Sequence, residues 1–141
     1  MKKIKGSIVG LIAILLILLI REIISFLLAK PVQQTSFVMI SSFVAFFIGG
    51  AVAAIIDKGR VKTKVHVLII SLLPIITIIY YLFVNYQEIK RPDFSGDASL
   101  LSYVLVFYIL PYALISIISV LLGSKITSKL INKSGSEKLA G

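Results

Sequence analysis

The sequence predicts an all-α integral membrane protein: a four-helix bundle whose sequential helices run antiparallel, with the N-terminus and C-terminus both cytoplasmic. Three observations carry this. Of 141 residues, 58% are hydrophobic and 15% charged, more apolar surface than so short a chain can hide from water. Three runs carry no charge at all: Pro31 to Ile56, Val65 to Gln87 (with His66 neutral) and Ala98 to Ser124. Each exceeds the roughly 20 residues that a helix needs to cross the hydrocarbon of a bilayer. Finally, the basic residues alternate from loop to loop.

The first span is expected at residues 7–29. Its uncharged run, Gly6 to Ile20, is short, and Arg21 and Glu22 interrupt it before Ile23 to Ala29 resumes. Lys2, Lys3 and Lys5 ahead of an apolar stretch also resemble the start of a signal peptide. Leu27 and Ala29 make a poor cleavage site, so an uncleaved span is the expectation. The second span is expected at 37–56, the third at 65–84 and the fourth at 100–122. Strand-like alternation of polar and apolar positions is absent, which argues against a membrane barrel. Past the fourth span, Lys125, Lys129 and Lys133 recur every four residues with Ile126 and Leu130 between them. That pattern predicts a basic amphipathic extension over 124–133 lying along anionic lipid headgroups. Residues 1–133 thus form one four-span domain, and 134–141 a flexible tail.

Loop charges set the orientation. Eleven basic residues fall on one side: Lys2, Lys3 and Lys5, then Lys58, Arg60, Lys62 and Lys64, then Lys125, Lys129, Lys133 and Lys138. The opposite side has Lys30, Lys90 and Arg91. The net charge of +9 is therefore explained by topology in a cell membrane with anionic cytoplasmic headgroups. No basic domain exists for a nucleic acid partner.

Several features are candidates for function. In span two, Ser41, Ala45, Gly49 and Ala53 recur every four residues and Asp57 continues the series, with Gly50 and Ala54 beside it. Small residues at this spacing let another helix approach closely. Span four offers a counterpart in Ser116, Ser119, Gly123 and Thr127, and span one in Gly6 and Gly10. The stripe predicts a helix-packing face, inside the chain or with a second copy or another membrane protein. Pro74 and Pro111 should kink spans three and four near the bilayer middle, at the level of Gly49. Such irregularities are where small transporters place substrate sites.

Arg21 and Glu22 are the ionised residues inside a span and become possible coupling charges. Arg21 lies about 24 Å along its helix from Lys5, which would let it snorkel to the far headgroups. His66 is expected as a solvated histidine at the membrane interface. With no Cys and no second His, no metal site and no cofactor is expected. Glu88, Asp93 and Asp97 offer at most a weak cation site on the outer loop. No HExxH, Ser/His/Asp motif or glycine-rich phosphate loop is present, so an enzyme is not expected. The functional expectation is a non-enzymatic accessory, assembly or oligomerising subunit of a membrane complex. The alternative is a small oligomeric ion- or proton-coupled transporter or channel.

Overall fold

A computed structural model describes residues 4–27, 35–90 and 104–140. Helix α1 spans Lys5–Leu27 and α2 spans Thr35–Ile56. The third crossing is two helices, α3 (Thr63–Ile70) and α4 (Leu72–Ile89). A π-helical turn, Leu105–Ile109, leads into α5, Leu110–Ala140. Among the described residues the fold is all-helical, and four helices are long and apolar enough to cross a membrane. Glu88 lies on α4, whereas Lys30, Arg91, Asp93 and Asp97 lie outside the described residues.

What is inside the bundle identifies the solvent it is built for. The buried set is small and partly polar: Ala45, Ala53, Ala54, Ala113, Ser7, Ser42, Ser116, Ser119 and Ser124, with few large side chains such as Phe46, Ile14 and Ile70. The exposed set includes Leu15, Leu16, Leu19, Ile23, Ile76, Ile79, Phe83, Leu114 and Ile118. In water this distribution would be inverted. In lipid it is expected, because tails solvate Leu and Ile as well as a protein core does, and close helix packing supplies the cohesion.

Two crossings show how that packing is made. Helices α1 and α2 run antiparallel, and a Cβ added at Gly10 would lie 2.5 Å from the Gly49 carbonyl oxygen. Helices α2 and α5 run parallel, and a Cβ at Gly50 would lie 2.5 Å from the Val120 carbonyl oxygen. Glycine is required at both points because backbone meets backbone. The α2–α5 pair forms the most extensive interface and α1–α2 the next, so α2 carries most of the packing.

The third crossing is divided. Helix α3 touches α1, α2 and α5. Pro74 has no N–H to offer the carbonyl of Ile70, and the helix breaks at Ser71, whose hydroxyl turns back to the Leu68 carbonyl at 3.1 Å. Beyond the break, α4 is largely exposed apart from Pro74. Pro111 has a similar effect: the π-helical turn immediately precedes it, absorbing the missing bond to the carbonyl one turn earlier. Both prolines thus stand beside an irregularity of the helix ladder.

At the other extreme, α5 continues unbroken to Ala140. Nothing between Gly123 and Ser134 is a proline, so the segment at 124–133 prolongs the fourth span on the same helix. At 1.5 Å per residue its 31 residues reach about 46 Å, well beyond a hydrocarbon core of about 30 Å.

Candidate functional site

The turn between α2 and α3 positions the most unusual group of side chains. After Ile56 the chain reverses through Lys58 (φ 52°) and Gly59 (φ 65°). The Lys58 N–H donates to the Ile55 carbonyl and the Gly59 N–H to the Ala54 carbonyl, each at 2.9 Å. This is a Schellman-type end that satisfies the last carbonyls of α2. Lys62 in extended conformation then starts α3 without a side-chain cap. The reversal is tight enough to set Asp57, at the end of α2, beside His66, on the first turn of α3.

Helix α1 completes the group. The first N–H groups of any helix lack an intrahelical partner, and the Gly6 N–H of α1 donates to Asp57 Oδ1 at 3.2 Å. A carboxylate from a different helix thus caps α1 where the helix dipole favours negative charge. One residue on, Ser7 Oγ is 2.9 Å from His66 Nδ1. The imidazole's other nitrogen, Nε2, faces Asp57 Oδ2 at 3.8 Å, too far for a hydrogen bond. The side chain of His66 is 0% exposed and that of Asp57 6%. Asp57 Oδ2 and His66 Nε2 are both buried without a hydrogen-bond partner, and so are Ser124 Oγ and Ser128 Oγ on α5. His66 is therefore not the solvated interfacial residue that its position beside Lys64 suggests. It faces inward because Ile70, one turn later on α3, packs in the same core.

Serine, histidine and aspartate in one cluster resemble a hydrolytic triad in composition. The geometry does not support that chemistry. Ser7 is fully buried within a helix, so its hydroxyl cannot meet a substrate carbonyl, and the His–Asp distance is too long for the bond that orients a general base. What the arrangement does is tie the ends of α1, α2 and α3 together.

A second polar group lies toward the opposite end. Arg21 Nε and Nη2 donate to Glu22 Oε1 at 3.0 and 2.5 Å, and Nη1 donates to Ser41 Oγ at 3.4 Å and Ser42 Oγ at 3.5 Å. Arg21 does not snorkel away from the bundle. Its side chain is 21% exposed, against 64% for Glu22, because the two hydroxyls of α2 draw the guanidinium inward. The Tyr112 ring of α5 meets the Phe46 ring of α2 edge-on at 6.3 Å.

The stripe on α2 faces α1. Ser41 meets Arg21, Gly49 and Ala53 meet Gly10, and Ala53 and Asp57 meet Gly6, while Ala45 is buried between them in the series. Gly123 of α5 packs instead on the Phe47 carbonyl of α2, with Ser119 buried one turn before it. The hydroxyls of Ser116 and Ser119 bond back to the carbonyls of Tyr112 and Ile115, so they pack as small residues with their polarity satisfied locally. Lys125, Lys129 and Lys133 are exposed along the prolonged helix.

A cavity lies near the two prolines in sequence, although neither they nor Gly49 line it. A groove of about 170 Å³ is lined by Val38, Met39, Thr77, Tyr108, Ile109 and Tyr112 and opens sideways. Thr77 lies one turn past Pro74, and Tyr112 directly follows Pro111.

Sequence reasoning singled out Asp57 and Gly6, but as members of small-residue series. The signal for the site was the short interval from Asp57 to His66 across a turn containing Gly59. No family model matches this chain, and no curated protein or solved structure resembles it significantly. The class of protein that fold and composition support is an all-helical one with four membrane-spanning segments.

Proposed function

We propose that this chain is a non-enzymatic accessory, assembly or oligomerising subunit of a complex in the cell membrane, with both termini cytoplasmic. The observation that carries the reading is the close packing of α2 on both α1 and α5. Backbones meet at Gly10 with Gly49 and at Gly50 with Val120, and the Ser116 and Ser119 hydroxyls on α5 bond back to their own helix. The chemistry left over is lateral: an exposed α4 and the groove beside Thr77 and Tyr112. Lateral apolar surface in a bilayer is where another membrane helix, from a second copy or a different protein, makes its contacts. Eleven basic residues at one end against three at the other support the cytoplasmic placement of the termini.

The test is purification from native membrane in mild detergent, without overexpression, followed by identification of what accompanies the chain. The reading expects a co-purifying membrane protein or a defined oligomer. It also expects cross-linking from a cysteine placed at Thr77 to exceed that from one at Leu16 on the opposite, α1 side. A solitary chain with no preferred cross-link would overturn it.

One observation favours the alternative, a small ion- or proton-coupled transporter working as an oligomer. Asp57 and His66 are ionisable, buried and incompletely paired, which suits coupling better than Glu22, whose charge is met by Arg21. Cation or proton flux in proteoliposomes that Asp57→Asn abolishes would establish this alternative and displace the subunit reading.

A further inference from the structure

A second groove, of about 240 Å³, lies at the basic end between α3 and α5, lined by Thr63, Lys64, Val67, Leu68, Ser71 and Leu121. Thr63, Val67 and Ser71 recur every four residues on α3, as do Lys64 and Leu68, so the five share one face. His66 and Ile70 occupy another face and are buried. The groove therefore follows α3 lengthwise. From Thr63 to Ser71 is about 12 Å of helix, close to the depth of about 15 Å of one leaflet's hydrocarbon. Its polarity changes along that length. At one end stand the Thr63 hydroxyl and the Lys64 ammonium, which makes no ion pair among the described residues. Further in, Val67, Leu68 and Leu121 are apolar, and Ser71 directs its hydroxyl to the Leu68 carbonyl. The turn leading into α3 carries Lys58, Arg60, Lys62 and Lys64 against one acid, Asp57. That carboxylate is turned inward to Gly6 and His66, so it leaves the basic rim unneutralised. Lys125, one turn past Leu121 on α5 and exposed, adds a charge on the other wall. Lys62 starts α3 without a side-chain cap, which leaves N–H groups of the first turn as further donors at the same end.

We propose that this groove binds one anionic phospholipid, with its phosphate at Lys64 and Thr63 and one acyl chain along Val67, Leu68 and Leu121. A groove on a bilayer-facing surface has to be filled, because an empty one forfeits dispersion contacts along its walls. Its two ends decide what fills it. A second copy of this chain, held in the same orientation by the membrane, would bring the same basic turn to the same level, and like charges would meet. A partner helix would leave Lys64 unneutralised unless it carried its own acid there. A free inorganic anion would use the rim and leave the apolar length uncovered. A phosphate head on a hydrocarbon tail satisfies both ends at once. The unpaired lysine charge selects a net negative headgroup over a zwitterionic one. This site stands independently of the subunit reading, whose partner surface is exposed α4 and the groove beside Thr77 and Tyr112.

The chain contains no tryptophan, so a single one reports on its own surroundings. Leu72 is exposed just past the deep end of the groove, and Leu72→Trp leaves all six lining residues intact. The full chain is reconstituted into vesicles of equal parts phosphatidylcholine and phosphatidylglycerol, with bromine on the acyl chains of one lipid or the other. Brominated phosphatidylglycerol should be favoured over brominated phosphatidylcholine as the quencher by about fivefold or more, the worth of one lysine at a membrane surface. Leu16→Trp, equally exposed on α1, should show no preference. Adding Lys64→Gln to the position-72 reporter should cut its preference by about fivefold. Val67→Phe, which keeps every charge but fills the groove, should abolish it. Lys5→Gln, which removes the same charge from α1, should leave it unchanged. Helix content and elution volume establish that each variant is folded. Equal quenching by both lipids at position 72 would overturn the proposal, as would the same preference at position 16. Quenching by neither lipid would mean that a protein segment covers the groove, and reversal by inorganic phosphate that the rim takes a free anion; either overturns it. So does a preference that survives both Lys64→Gln and Val67→Phe in folded protein. The comparison of positions 72 and 16 decides the matter even if a groove variant does not fold.

Discussion

The two halves of this bundle are made from nearly the same apolar residues and have opposite character. At the basic end, α2 packs on α1 and on α5 with glycines at the crossings, α3 borders a groove of about 240 Å³ that reaches Leu121 of α5, and a buried Ser7–His66–Asp57 cluster ties three helix ends. At the far end, a break at Ser71 and a π-helical turn before Pro111 let α4 swing clear, leaving a groove and a helix that is mostly exposed. Hydrophobicity does not distinguish the halves. The punctuation does: glycine brings backbones together, and proline removes a ladder bond and sends the helix elsewhere. On the proposed subunit reading, the surface that meets a partner lies in the open end.

The sharpest way to break this comparison is to enlarge one side chain at each end. Gly49→Leu pushes atoms into Ile14 and the α1 backbone and should destabilise the bundle by about 3 kcal/mol or more. The loss would be read as a drop in the melting transition in detergent. Thr77→Trp, which adds comparable volume beside the open groove, should change stability by less than about 0.5 kcal/mol. Equal effects would mean that the ends are equally packed. Next in size is His66→Ala, which leaves Ser7 and Asp57 buried without their partner. It should cost about 2–3 kcal/mol by the same measurement. Ser42→Ala removes a bond to Arg21 at the far end, and there the cost should be close to the average of about 0.6 kcal/mol for hydrogen bonds in membrane proteins. The smallest expected change has the opposite sign. Lys58 occupies a left-handed conformation (φ 52°), so Lys58→Gly should leave stability unchanged or raise it by up to about 1 kcal/mol.

Much of the open half was legible in the sequence, and little of the closed half's chemistry was. Four uncharged runs and two prolines are local properties, so the spans and their irregularities could be read directly. The α2 stripe announced a packing face without naming its partner, since periodicity marks a face and not what lies against it. The same limit applied to Gly123, which meets Phe47 on α2. The site itself depends on contacts that no local pattern encodes. Gly6 meets Asp57 across 51 positions, and Ser7 meets His66 across 59. Seen alone, a histidine next to Lys64 belongs at a wet interface, and an arginine near a helix end belongs among headgroups. Three converging helix ends override the first expectation. Two serine hydroxyls on α2 override the second.

The orientation of the two ends decides whether the comparison has biological meaning, and the chain is well suited to measuring it because it contains no cysteine. Single cysteines at Lys62, in the turn of the closed end, and at Tyr86, near the far end of α4, can be treated with a membrane-impermeant maleimide on intact cells. The account predicts labelling at position 86 and none at position 62 until the membrane is permeabilised. Labelling at 62 from outside, with 86 protected, would contradict it.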